Sequence, residues 1–356
     1  YLHGLVRDKQ RRKMSKSLGN SPEPISLIDT YGADGVRVGM LLCSPAGNDL
    51  LYDDSLPEQG RNFSNKIWNA FRLVKGWERD ESMVQPEWSA RAVRWINAVT
   101  DAALVELDHH FEKFRISDAL MTCYKLFWDE FSSWYLEIVK PAGGKRMDAA
   151  TYDSTIAVFV KLLKMIHPFM PFITEEIWHL IEERKPGESL MMTAMPEPSR
   201  IDRKMISDFS MTREIVSAIR TVRKDKNIPN REAIDLHVVT EGEEFSRYFP
   251  EVIARLCNVG NVQFASSKIQ GAASFMTGTM EFFIPLTLPI DTESEKDRIA
   301  GEISYFEGFL KSVEGKLANT SFVSNAPAAV VENERKKKSD AEMKLAALRD
   351  QLASLG

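Results

Sequence analysis

Long apolar runs are absent from this chain of 356 residues: none approaches the roughly 20 residues that a membrane-spanning helix needs. No signal-peptide pattern opens it. A soluble, cytoplasmic protein with no membrane partner is expected. Cysteine is scarce, and Cys43, Cys123 and Cys257 stand far apart, at no spacing that suits a zinc knuckle or a redox pair. They read as buried thiols in a reducing compartment. Histidine is scarce too. His109-His110 and His167 have no ligand partners at metal spacing, so no protein-bound metal is expected in this chain. Positive charge is lacking overall, since 46 Lys+Arg against 51 Asp+Glu leave a formal net charge of −5. Any contact with phosphate must therefore come from local clusters.

What is there is globular. Hydrophobic residues at 44% and charged residues at 27% are ordinary soluble values, and the length predicts roughly two to four domains or subdomains. The first residue is Tyr1 and Tyr1 to Val6 looks like a strand already under way, which reads as a truncated chain. The pattern divides the chain into four segments and predicts a mainly α protein with a small α/β part. Residues 1–53 carry many glycines, one basic cluster and two short helices, around Ile25 to Tyr31 and Asp34 to Leu42. Residues 54–198 turn to long amphipathic stretches. One has Phe63, Ile67, Ala70, Val74 and Trp77. A second has Leu120, Phe127, Phe131, Trp134 and Ile138, with Ser117 as its N-cap, and a third has Ile156, Val160, Leu163 and Ile166. Pro168 and Pro171 break the pattern before Glu175 to Glu183 resume it, so a bundle of about four or five helices is expected.

Residues 199–290 read as a small α/β lobe. It has a helix from Asp202 to Lys226, another near Phe245 to Leu256, and strands at Ile234 to Val238, Val259 to Phe264 and Met280 to Leu286. Residues 291–356 hold two heptad seams, Ile299, Ile303, Phe306, Leu310, Val313, Leu317 and Ala341, Leu345, Leu348, Leu352, Leu355. The turn-forming stretch Asn319 to Pro327 between them predicts an antiparallel coiled-coil hairpin. Each arm is only about four heptads long, so each helix depends on the other.

The basic cluster of the first segment is Arg7, Lys9, Arg11, Arg12, Lys13 and Lys16, with Asp8 the one acid among them. Most such runs are solvated turns. In this one, Lys13 and Lys16 flank Met14 and Ser15, and Ser17, Leu18, Gly19 and Asn20 follow. A loop of that kind offers two ammonium groups, two hydroxyls and backbone N–H groups to a polyphosphate. Lysine suits a moving loop because it binds phosphate as a point charge. Its charge counts most as negative charge gathers on a departing group.

Lys13-Met14-Ser15-Lys16-Ser17 is identified as the second signature of class I aminoacyl-tRNA synthetases, a match that chance gives in a chain this long with odds on the order of one in ten thousand. The resemblance implies a loop that closes over ATP, normally with Mg2+. Lys16 stabilises the pyrophosphate, Lys13 supports it, and Ser15 and Ser17 bind phosphate or hold the closed loop. Tyr31-Gly32-Ala33-Asp34, Gly60-Arg61-Asn62-Phe63, Trp128-Asp129-Glu130-Phe131, Trp134-Tyr135-Leu136-Glu137 and His167-Pro168-Phe169-Met170-Pro171-Phe172 resemble stretches of valyl-tRNA synthetases, the last also resembling the isoleucine and leucine enzymes and so identifying the group only. So does the terminal hairpin with Phe322, Ala326-Pro327 and Val330-Val331 in its connection. Ser21-Pro22-Glu23-Pro24 departs from the usual sequence after the loop.

The resemblance implies that 1–53 ends a catalytic domain, 54–198 binds the anticodon, 199–290 is a small lobe and 291–356 is a tRNA-binding arm. The expected partners are tRNA(Val), with ATP and valine in the full-length enzyme, and the expected state is a monomer. No His-Ile-Gly-His type signature is present, so this piece alone is not expected to charge tRNA. Lys66, Asn69 and Arg72 are candidates for anticodon contacts, and Arg335, Lys336, Lys337 and Lys338 for contacts of the arm with tRNA phosphates. Arg220, Arg223, Lys224 and Lys226 form a weaker cluster. The aromatics Trp68, Phe71, Trp128, Phe131 and Trp134 read mainly as core. The alternatives are an isoleucyl- or leucyl-tRNA synthetase fragment, or a non-catalytic RNA-binding or coiled-coil module.

Overall fold

The computed structural model describes residues 4–43, 48–141, 143–199, 201–239, 244–286, 292–319, 322–323 and 327–354. Tyr1, Leu2 and His3 of the expected first strand, Ala326 of the connection and Leu355 of the second seam lie outside the described residues. The chain is mostly helical with small sheets, and it divides into two compact units, Tyr1–Ser207 and Asp208–Gly356.

The first unit opens on β1 (Val6–Arg7), which pairs in parallel with β2 (Leu50–Leu51). Gly4 and Leu5 are not part of the strand; the Leu5 N–H is taken instead by the Asp49 carboxylate at 2.9 Å. Between the two strands come α1 (Pro24–Tyr31) and α2 (Ala33–Leu42), and after them α3 (Ser55–Lys75). Helices α2 and α3 meet backbone to backbone. A Cβ on Gly60 would lie 2.2 Å from the Gly35 carbonyl oxygen, and one on Gly39 would lie 2.5 Å from the Pro57 nitrogen. Only glycine permits that approach.

A two-stranded parallel ribbon, β3 (Glu78–Asp80) with β4 (Arg146–Asp148), flanks the bundle. The bundle consists of α4 (Glu87–Glu112), α5 (Ile116–Lys125), a π-helical stretch (Leu126–Tyr135), α6 (Leu136–Val139), α7 (Ala149–Ile166) and α8 (Pro171–Ile181). Phe63, Ile67, Trp95, Leu120, Phe127, Phe131, Tyr135, Phe159 and Leu163 are fully buried. Phe131 meets the Phe159 ring edge-on at 5.3 Å between centroids. Full burial of each such side chain contributes about 1.5–3 kcal/mol. Asp148 caps α7 by accepting the Thr151 N–H at 2.8 Å, and Pro171 starts α8 where its missing N–H costs nothing.

Two expectations for the bundle need correction. Ser117 is not an N-cap: α5 begins at Ile116 behind Arg115, and the Ser117 hydroxyl donates instead to the Leu41 carbonyl of α2 at 2.7 Å. Trp134 is only half-buried, and Tyr135 takes the core position after Phe131. In the π-helical stretch the i→i+5 bonding brings residues four apart into line, so Phe127, Phe131 and Tyr135 share the inner face.

The second unit contains most of α9 (Arg203–Asp225) and a four-stranded sheet of order β6-β5-β8-β7. Strands β5 (Ile234–Val239) and β6 (Val259–Phe264) are parallel, while β8 (Met280–Pro285) runs antiparallel to both β5 and β7 (Ala272–Thr277). The helix expected near Phe245 is two pieces, a 3-10 turn at Glu244–Arg247 and α10 (Pro250–Cys257), with Phe249 at φ 52° between them. Pro250, with no N–H to continue a helix, forces the restart.

Helices α11 (Thr292–Ala318) and α12 (Ala328–Ser354) belong to the same unit. They run antiparallel, tied by Glu307–Arg349 at 2.6 Å, Glu314–Lys338 at 2.9 Å and Lys316–Glu334 at 3.4 Å. Ile299 and Val313 of α11, and Val331, Ala341, Leu345 and Leu348 of α12, are buried.

Candidate active-site loop and nucleic-acid interfaces

The candidate loop stands on a small frame whose hub is Asp8. Its carboxylate accepts the Gln10 N–H at 3.0 Å, the Arg12 N–H at 2.9 Å, Arg12 Nε at 2.8 Å and Asn20 Nδ2 at 3.0 Å. The Asn20 hydrogen bond above all, then the bonds and charge of Arg12, hold the Asp8 carboxyl down at about 2, against the opposing effect of burial. Asn20 reaches back as well: its Oδ1 accepts the Ser15 N–H at 2.9 Å. One asparagine therefore closes the loop at its base.

Above that base Ser15 is the N-cap of a single 3-10 turn, Lys16–Leu18, accepting the Leu18 N–H at 3.3 Å; its hydroxyl lies 3.2 Å from that of Ser17. Gly19 ends the turn at φ 62°, a left-handed conformation that glycine adopts without strain. The frame sorts the basic cluster into two kinds. Arg7 is paired with Asp49, Lys9 with Asp53 at 3.0 Å, and Arg12 with Asp8 at 2.7 Å. Arg11, Lys13 and Lys16 have no ion pair among the described residues, and all three are exposed. Lys13 and Lys16 thus present two uncompensated charges beside two hydroxyls.

Two mounts carry the loop. After Gly19 the chain enters α1 and then α2; through β1 and β2 it is tied to the start of α3, where Asp53 accepts the Ser55 N–H at 2.9 Å. That bond and the Lys9 ammonium hold the Asp53 carboxyl at about 2. Helix α2 is bound to the bundle by two side chains that sequence reasoning did not single out as site residues. Asp34, buried at the start of α2, accepts the Ile173 N–H at 2.7 Å and so caps α8. Burial pushes its carboxyl upward. Arg37 donates to the carbonyls of Phe169 and Pro168, each at 3.1 Å. The same corner holds His167, whose Nδ1 lies 2.7 Å from the Thr174 hydroxyl. That hydroxyl also lies 2.7 Å from the Met170 carbonyl oxygen. Two stretches that stood apart in sequence, Tyr31 to Asp34 and His167 to Phe172, are therefore halves of one junction. The signal was there in the charged pair Asp34 and Arg37, one turn apart on a short helix, but nothing local told what they would face.

On α3 the candidates Lys66, Asn69 and Arg72 follow at steps of three and share a side of the helix. Asn69 and Arg72 are exposed, while Lys66 is half-buried with its ammonium 5.2 Å from the Trp128 ring centroid. Trp128 in turn stacks on Tyr124 at 5.4 Å. On α12 the four cations behave differently from one another. Lys338 pairs with Glu314, Lys337 with Glu334 at 2.6 Å, and Arg335 with Glu332 at 3.8 Å; Lys336 has no ion pair among the described residues. The weaker cluster loses a member: Arg223 is buried, its guanidinium donating to the carbonyls of Pro229, Glu232 and Cys257 within 2.8 Å. Among the described residues no group of three or more His, Cys, Asp or Glu side chains could hold a metal ion.

Three family models match segments of the chain. Residues 1–53 match the family described as tRNA synthetases class I (I, L, M and V), residues 93–239 the anticodon-binding domain of tRNA ligase, and residues 291–356 the valyl tRNA synthetase tRNA binding arm. Lys66, Asn69 and Arg72 lie outside these matches. The valine–tRNA ligase of Parabacteroides distasonis is 52% identical over 355 residues, that of Porphyromonas gingivalis 53% over 355, and that of Christiangramia forsetii 52% over 355. Each alignment takes in 100% of this chain and 40% of the relative, so the chain spans two fifths of the length of these curated relatives. Along its whole length, then, the chain is similar to valine–tRNA ligases, and its loop signature lies in the segment that matches class I tRNA synthetases.

Proposed function

We propose that the chain is the carboxyl-terminal part of a valine–tRNA ligase and works in the ATP-dependent activation of valine and its transfer to tRNA(Val). The observation that carries this reading is the sorting of charge in the first 20 residues: Arg7, Lys9 and Arg12 are neutralised by Asp49, Asp53 and Asp8, and Lys13 and Lys16, with Arg11, are left without an ion pair among the described residues to meet phosphate. In the full-length enzyme ATP would arrive with Mg2+. Lys16 would hold the leaving pyrophosphate as the valine carboxylate attacks the α-phosphate, and Lys13 would support it. Charge placed where the transition state gains it lowers the barrier more than charge that only binds the ground state. Ser15 and Ser17 would offer hydroxyls to ATP once the loop closes.

The remaining segments take the roles their families suggest. Residues 1–53 would finish the catalytic domain, and 54–198 would bind the anticodon, with Lys66, Asn69 and Arg72 among the contacts. Residues 199–290 would form a small lobe, and 291–356 a coiled-coil arm that meets tRNA phosphates through the Arg335–Lys338 run. The enzyme would act as a cytoplasmic monomer. The test is Lys16→Ala in the full-length protein. Valine-dependent exchange of pyrophosphate into ATP should fall by about a hundredfold or more, with tRNA affinity within about twofold of the parent. Equal losses in both assays would remove the assigned role.

A further inference from the structure

We propose that Arg37 is a positioning residue for the Lys13–Ser17 loop: by clamping the corner between α7 and α8, it makes the docking of RNA on the helical bundle bear on the loop. This rests on the reading of the chain as part of a tRNA ligase. Coupling between separated sites needs a physical connection, and here it can be followed bond by bond. The loop runs directly into α1 and α2, and its base strand is tied through β2 to α3. Gly35, Gly39 and Gly60 bring α2 and α3 into backbone contact, so neither can shift without the other. From that pair, hydrogen bonds lead into the bundle at both ends of α2: Ser117 of α5 at Leu41, and Asp34 and Arg37 at the α7–α8 corner.

Arg37 is the informative member of this set. Asp34 is buried and caps a helix, a task the fold needs in any case. Arg37 is exposed, so the core does not depend on it. Its planar guanidinium holds two successive carbonyls, Pro168 and Phe169, at 3.1 Å each, just past the carboxyl end of α7 where carbonyls carry partial negative charge. A lysine could reach only one of them in a fixed geometry. The clamp also joins segments of different kinds. Arg37 lies in the part that matches class I tRNA synthetases, and Pro168 and Phe169 lie in the part that matches an anticodon-binding domain.

The test uses the full-length ligase with Arg37→Ala and Arg37→Lys, and three assays. They are pyrophosphate exchange without tRNA, charging of whole tRNA(Val), and charging of an acceptor-stem minihelix that lacks the anticodon arm. For Arg37→Ala the kcat with whole tRNA should fall by about tenfold while its KM stays within about twofold. Exchange, minihelix charging and Tm should match the parent, and Arg37→Lys should fall in between. A loss shared by exchange and minihelix would make Arg37 a plain structural residue. A raised KM at constant kcat would make it a binding residue. Either result, or no change at all, overturns the proposal. If the parent enzyme charges no tRNA with valine, the functional reading itself fails; a parent that charges normally with an indifferent Arg37→Ala removes only the clamp.

Discussion

The loop at residues 13–17 and the cationic run at 335–338 look alike in sequence, yet the fold treats them in opposite ways. In the first, aspartates consume Arg7, Lys9 and Arg12 and leave Lys13 and Lys16, with Arg11, without an ion pair among the described residues. In the second, glutamates on α12 and its antiparallel partner consume three of the four cations themselves. A basic run is a ligand site only in proportion to the charge that the fold leaves unspent. The reason is geometric. Consecutive residues on a helix point all round it, so a run there must face a neighbour somewhere. The 3-10 turn at Lys16–Leu18, standing on a separate Asp8 frame, leaves Lys16 without an ion pair among the described residues.

The contrast can be broken at several points, and the largest effect belongs to the loop. Lys16→Ala should cost about a hundredfold or more in exchange, and Lys13→Ala less, on the order of tenfold; equal losses would erase the distinction between the two lysines. In the arm, neutralising all four cations should flatten the dependence of tRNA affinity on salt by only about one to two in slope, because two of them stay engaged with Glu314 and Glu334. A flattening near four would mean that RNA competes those pairs away. Lys338→Ala should show up in stability, lowering the thermal midpoint of the helix pair only slightly because the pair with Glu314 is partly exposed.

The smallest effect is titration at the hub. The Asp8 carboxyl sits below its ordinary value of 3.8, at about 2, so its contribution to holding the loop is fully present above that ordinary value and is lost as pH falls toward 2. Amide exchange at Arg12 and Ser15 should quicken over that window, and Asp8→Asn should remove the pH dependence.

Much of the architecture was legible in the chain. Helices α1 and α2, the helix from Asp202, and strands β5, β6 and β8 fall close to where periodicity and punctuation put them. The longest helix of the first unit, α4, was not located, because Ala and Val interleaved with Arg and Asp give it only a weak apolar stripe. Strand β7 was not seen either. Its Ala272-Ala273-Ser274 start has little β character, and pairing with β8 makes it a strand. Ser117 looked like a cap because Ser, Thr, Asp and Asn are the usual ones, but α2 offered the hydroxyl a better partner in the Leu41 carbonyl.

The sequence by itself determined the kinds of element, the loop signature and the two heptad seams, since all three are local in the chain and depend on spacing alone. Which cations remain available was decided by tertiary structure, because a charge is spent or kept according to carboxylates 4 to 44 residues away, such as Asp8 for Arg12, Asp49 for Arg7, and Asp53 for Lys9. The joining of Arg37 to Phe169 across 132 residues belongs to that class as well. No local pattern encodes such a contact; it exists only when α2 and the α7–α8 corner have been packed side by side.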